Sequence, residues 1–121
     1  MQIGRTKRMK NYKYYMYQLK DISKTIYAFR SWDEAKGFID PQLNEYKCVY
    51  SGEVEADTEN DALESLFVDF NINRPADFYG HSMSMSDIVC LVRDDGCDWY
   101  YCDTFGWTKI TEEIKERRTR K

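Results

Sequence analysis

The stretch DIVCLVRDDGCDWYYCD, residues 87–103, decides the fold. Ile88, Cys90 and Val92 alternate with Val89 and Leu91, so an extended chain here is apolar on both faces, the pattern of a strand inside a sheet rather than at its rim. Asp94-Asp95-Gly96 is a tight-turn signal, and CDWYYCD after it reads as the hairpin partner. Phe105-Gly106-Trp107 then turns the chain into a last short strand through Ile110.

Two further strands and two helices lie upstream. In YKYYMYQL, residues 12–19, the sets Tyr15/Tyr17/Leu19 and Tyr14/Met16 alternate without a helical stripe and suit a first strand. YKCVYSGEVEA, residues 46–56, reads as a second. Between them Ser31 and Glu34 have the spacing of a capping box, which predicts a short helix from Trp32 to about Phe38, stopped by Gly37 and then Asp40-Pro41. The clearest helix is DTENDALESLFVDFNI, residues 57–72. Asp57 or Thr58 can cap it, its early acids suit the positive end of the helix dipole, and Leu63, Leu66, Phe67 and Phe70 form the face expected to pack on the sheet. The expected fold is α+β: a single domain in the order β-α-β-α-β-β-β, with an antiparallel-rich sheet of about five strands and two helices on one side.

Composition fits that reading. A chain of 121 residues, 42% apolar and 16% aromatic, is large enough for one core, in which ten Tyr, six Phe and three Trp dominate. Each tyrosine hydroxyl needs a partner or water, so the core should have a polar, amphipathic rim. No run of 18 apolar residues suggests a membrane span, and the basic start lacks the apolar stretch of a secretory signal. A cytoplasmic location is expected, with Cys48, Cys90, Cys97 and Cys102 as free thiols.

The net charge of −3 hides an uneven distribution. Residues 1–11 form a basic leader, expected to be flexible; residues 12–110 form the domain; residues 111–121, TEEIKERRTRK, form a charged C-terminal helix or tail. Residues 14–110 hold eight basic against eighteen acidic side chains, a net of −10. No Lys or Arg occurs between Cys48 and Asn73, yet Glu53, Glu55, Asp57, Glu59, Asp61, Glu64 and Asp69 do. Such a run can be no more than a solvated helix face, or it can steer a basic partner.

One segment has the inventory of a hydrolytic site. GHSMSMSD, residues 80–87, holds the only histidine, His81, beside Ser82, Ser84 and Ser86, with Asp103 downstream. A triad needs the base within reach of a hydroxyl, a third group to orient it and an oxyanion hole. In an extended chain His81 and Ser82 point apart. The plainer reading is a structural latch: Gly-His permits an unusual turn, the Ser/Met alternation makes an extended lead-in, and Ser86-Asp87 offers oxygens to backbone N–H groups where the central strand begins. Zinc binding has weak support, because the cysteines form no paired C-x-x-C knuckle. Asp94, Asp95, Asp98 and Asp103 read as solvated turn acids.

GHSMSMSDIV at 80–89, followed by YYCDTFGW at 100–107, resembles the YodL-like family, small domains of Firmicutes and their mobile elements. YMYQLK at 15–20 and LESLFVDFN at 63–71 extend the resemblance over most of residues 14–110. It marks Gly80, His81, Ser82, Ser84, Ser86, Asp87, Asp103 and Gly106 as signature positions, with Trp107 where phenylalanine is commoner. It implies no established enzymatic activity, cofactor or substrate.

The expectation is therefore a non-enzymatic protein-binding accessory domain of mobile-element or phage origin, with no cofactor and no metal. It would modulate a host or element-encoded protein through an acidic and aromatic surface made of Glu53, Glu55, Glu59, Asp61, Glu64 and Asp69. That partner could itself be a nucleic-acid-binding protein; direct nucleic-acid binding through the basic ends is disfavoured by the acidic body. Two alternatives stand beside it: a counter-defence inhibitor, anti-CRISPR or anti-restriction, that competes with DNA, and a small hydrolase using His81, Ser82 and Asp103.

Overall fold

The computed structural model describes residues 9–118, with side chains up to residue 114. Residues 1–8 of the basic leader and 119–121 of the tail lie outside the described residues. Strand β1 (Lys10–Leu19) is followed by a single 3-10 turn (Ile22–Lys24) and helix α1 (Trp32–Ala35). Strand β2 (Tyr46–Ala56) and helix α2 (Glu59–Asn71) come next, then strands β3 (Ile88–Arg93), β4 (Gly96–Asp103) and β5 (Gly106–Lys109) and helix α3 (Thr111–Arg118). The strands form one sheet in the order β2-β1-β3-β4-β5, every neighbouring pair antiparallel. The run apolar on both faces is the middle strand, as an interior position demands.

Both faces of the sheet are covered, which corrects the expectation of helices on one side. Tyr12, Tyr14, Met16, Val89 and Leu91 meet Ala62, Leu63, Leu66 and Phe70 of α2 in the first core. Leu19, Ile88, Cys90, Trp99 and Tyr101 point the opposite way and meet Trp32 and Ala35 of α1, Tyr27 and Leu43 of the β1–β2 connection, and Ile114 of α3. A middle strand with two apolar faces needs two covers, and the second is built largely from irregular chain that carries no periodic signal.

Local chemistry sets the helix ends. Ser31 and Glu34 form the expected capping box, and α1 is then only one turn long. Thr58 caps α2, its hydroxyl accepting from the Asp61 N–H at 3.1 Å. Phe67, expected inside, stands 39% exposed on the outer side of α2, and Ala62 takes the inward place. Strand β2 bulges at Val49: the register passes from Met16↔Tyr50 to Tyr17↔Cys48.

The tyrosines find partners at the rim. Tyr27 donates to Glu45 at 2.6 Å, Tyr46 to the Ser86 carbonyl at 2.6 Å, Tyr101 to the Arg30 carbonyl at 2.7 Å and Tyr50 to Asp77 at 2.9 Å. Phe70 and Phe78 pack edge to face, 4.8 Å between centroids, beneath Tyr50.

Candidate functional site

The Gly-His-Ser segment lies against the end of β1, and the contact is made by Gln18. This buried amide donates to the His81 carbonyl at 2.8 Å and to the Asp87 carboxyl at 3.0 Å, and its oxygen accepts the His81 backbone N–H at 3.2 Å. The fit leaves no room at Gly80: a Cβ there would lie 2.5 Å from Gln18 Oε1 and under 3 Å from the Phe78 ring. Space rather than an unusual backbone angle requires this glycine, since its φ is not in the left-handed range.

The serines are not extended throughout, as the alternation suggests. Asp87 N–H closes a turn onto the Ser84 carbonyl at 3.0 Å while the Asp87 carboxyl accepts the Ser84 N–H at 2.9 Å. Ser86 takes φ 82° and Phe29, across the fold, takes φ 61°. The two are tied, Phe29 N–H donating to Ser86 Oγ at 3.2 Å. Ser86 N–H and the Asp87 carbonyl pair with the two backbone groups of Cys102, which extends the β3–β4 ladder into the motif. Burial pushes the Asp87 carboxyl up to about 7, against the opposing effect of the Ser84 and Gln18 hydrogen bonds.

His81, Ser82 and Asp103 do not form a triad in this arrangement. The His81 Nδ1 lies 2.8 Å from the Ser82 carbonyl, so this nitrogen donates, and no serine hydroxyl bonds the ring among the described residues. Nε2 is buried without a hydrogen-bond partner there. Asp103 is occupied elsewhere: it accepts the Trp32 N–H at 3.0 Å, the Thr104 N–H at 2.8 Å and the Thr108 hydroxyl, pinning the start of α1 to the β4–β5 hairpin. Burial works to raise its pKa, but these bonds outweigh it and hold the carboxyl below the usual carboxylate range. Cys90 lies in the second core with Cys97 against it, Cys102 is buried and Cys48 exposed, and no three metal-ligating side chains converge among the described residues.

The acidic run divides. Glu53 and Glu55 are exposed on β2, on the face of the sheet turned away from α2, and Glu53 accepts from Asn11 at 3.0 Å. Glu59 is bound by Arg93 at 3.1 Å and by the Tyr100 hydroxyl. The same guanidinium reaches Asp98 at 2.5 Å and Asp95 at 2.8 Å, so Asp98, read as a solvated turn acid, is instead a buried member of an ion-pair network. Asp69 is half-buried, and only Asp61 and Glu64 remain as exposed acids on α2. Beyond them the same outer side carries Phe67, Val68 and Ile72, the last 74% exposed. Sequence reasoning misses this apolar half, because helical spacing puts Phe67 with the core residues. The β4–β5 turn holds Phe105 at 96% exposure, with Gly106 at φ 87° closing the hairpin behind it.

These features define a small α+β domain built on a five-stranded antiparallel sheet, with a hydrogen-bonded histidine-serine segment locked to its middle strands. The YodL-like domain family matches residues 13–112, and the chain belongs to that family. No curated protein and no solved structure matches it.

Proposed function

We propose that the domain is a protein-binding module that presents the outer side of α2 to a basic, partly apolar segment of another protein. One observation carries this reading. Asp61 and Glu64, whose carboxylates have no partner among the described residues, adjoin the exposed Phe67 and Val68 on the same helix and Ile72 just past its end. An apolar patch rimmed by charge is a common mark of a protein–protein contact. The division of the acids between two sides of the sheet, with Glu59 neutralised by Arg93, favours a short basic segment over an extended imitation of DNA. No helix among the described residues is long and apolar enough to cross a membrane. The setting we assign is the cytoplasm of a host cell, the module serving a mobile element by acting on a host protein; free thiols suit such a reducing compartment.

Affinity capture from host lysate at low salt tests the reading, comparing the unaltered chain with a double variant, Asp61→Lys and Glu64→Lys. A partner retained by the first and lost by the second, at equal folded stability, is the expected outcome. Capture of the same proteins by both, or of none by either, contradicts it.

A further inference from the structure

Between α2 and the β4–β5 hairpin the surface sinks into a depression of about 250 Å³. Phe67 borders it from the helix and Trp107 from β5, Cys102 is buried among its lining residues, and Glu64, Asp103 and Thr104 complete the edge. We propose that this depression receives the guanidinium group of an arginine from a basic segment of a partner protein. The inference rests on the protein-binding reading above and names the chemistry of one contact within it.

Size gives the first argument. Sites for small organic ligands run from about 300 to 1,000 Å³, so this one suits a single long side chain. Three larger depressions are less suited to a single cationic side chain, one of them, about 530 Å³ beside Trp32 and Phe105, by size alone. One of about 690 Å³ at the N-terminal end of α2 has its four acids, Asp57, Glu59, Asp94 and Asp98, already faced by Lys10, Arg93 and Lys109. One of about 590 Å³ beside His81 is bordered by Lys20 and Lys47.

Sign gives the second. Among the described residues no Lys or Arg lines the smaller depression. Glu64 brings a carboxylate with no partner among the described residues, whereas both Asp103 oxygens are already taken by Trp32, Thr104 and Thr108. Burial pushes the Cys102 thiol up to about 12, so it stays neutral. An aliphatic occupant would desolvate Glu64 without a compensating bond, and an anion would be repelled. A guanidinium can lie flat against an aromatic ring while its edge donates to a carboxylate, which an ammonium does less well.

The test titrates the whole chain with an acetylated, amidated Leu-Arg-Leu peptide and its citrulline counterpart, which keeps the shape and removes the charge. Binding is followed through the Trp107 indole N–H signal in NMR spectra. The arginine peptide should shift that signal and bind about tenfold more tightly than the citrulline peptide, equivalent to about 1.4 kcal/mol. Glu64→Gln and Phe67→Ala should each weaken it by about tenfold, and Asp61→Asn by clearly less. Equal binding of the two peptides, an unmoved Trp107 signal, or full affinity in Glu64→Gln overturns the inference. If Asp61→Asn weakens the peptide as much as Glu64→Gln, general helix charge is the cause; the pocket is then wrong while the wider reading stands. The wider reading fails on its own evidence, when the double-lysine variant captures the same partner.

Discussion

Asp87 is 1% exposed at the point where the Gly-His-Ser segment meets the middle of the sheet. Its carboxyl titrates near 7 in the folded protein because burial penalises the charge, while in an unfolded chain it titrates near the ordinary value of about 4. The folded state therefore holds the proton more tightly. Its contribution to stability is fully present below about pH 4 and is lost as pH rises to about 7, a difference of at most about 4 kcal/mol. Asp98 and Asp103 run the other way: both are held below the usual range despite burial, so their contribution is lost only on further acidification, below about pH 4. Asp87→Asn keeps an oxygen to accept from Ser84 and Gln18 and removes the charge. Urea unfolding across pH 4 to 8 should show the variant without the decline seen in the parent and more stable than it at pH 8; an unchanged slope would place the titration elsewhere. At this scale the sequence was legible in part. That Ser86 and Asp87 offer oxygens to backbone N–H groups follows from their side chains. That Gln18, 69 residues away, supplies the other half of the contact does not, since an amide within an aromatic strand carries no sign of its partner.

The strands show what periodic pattern can and cannot say. Strand β2 falls where its alternation ends, and α1 begins at the capping box, because both are decided by neighbouring residues. The orientation of α2 is decided by what lies above it. Leu63, Leu66 and Phe70 stay on the buried side, but Phe67 follows Leu66 by about 100° around the axis and passes beyond the stripe. Hydrophobicity alone ranks Phe67 with its neighbours; only the sheet distinguishes them. Phe70, 1% exposed and ringed by Tyr14, Tyr50 and Phe78, should lose about 3–5 kcal/mol on change to Ala. Phe67→Ala should lose less than about 1 kcal/mol. Thermal unfolding of the pair checks this, and equal losses would mean that α2 sits in a different rotation. The exposed apolar side of α2 is the part least visible in sequence, because an apolar residue that faces outward and one that faces the core look the same.

Across the whole molecule, both faces of the sheet are covered, and the outer side of α2 carries exposed acids and apolar side chains. α1, α3 and the β1–β2 connection close much of one side, and α2 closes the other while turning Asp61, Glu64, Phe67, Val68 and Ile72 outward. The fold class was legible because a middle strand, two hairpin turns and a capped helix leave few arrangements. The two-sided cover was not, since it depends on irregular chain and on Ile114, buried in a highly charged helix. The most direct test of the central claim is carboxyl-group footprinting of the captured complex against the free protein. Labelling at Asp61 and Glu64 should fall on binding while Asp33, on α1, labels as before. Full labelling of Asp61 and Glu64 in the complex would show that the partner sits elsewhere and would remove α2 as the binding surface.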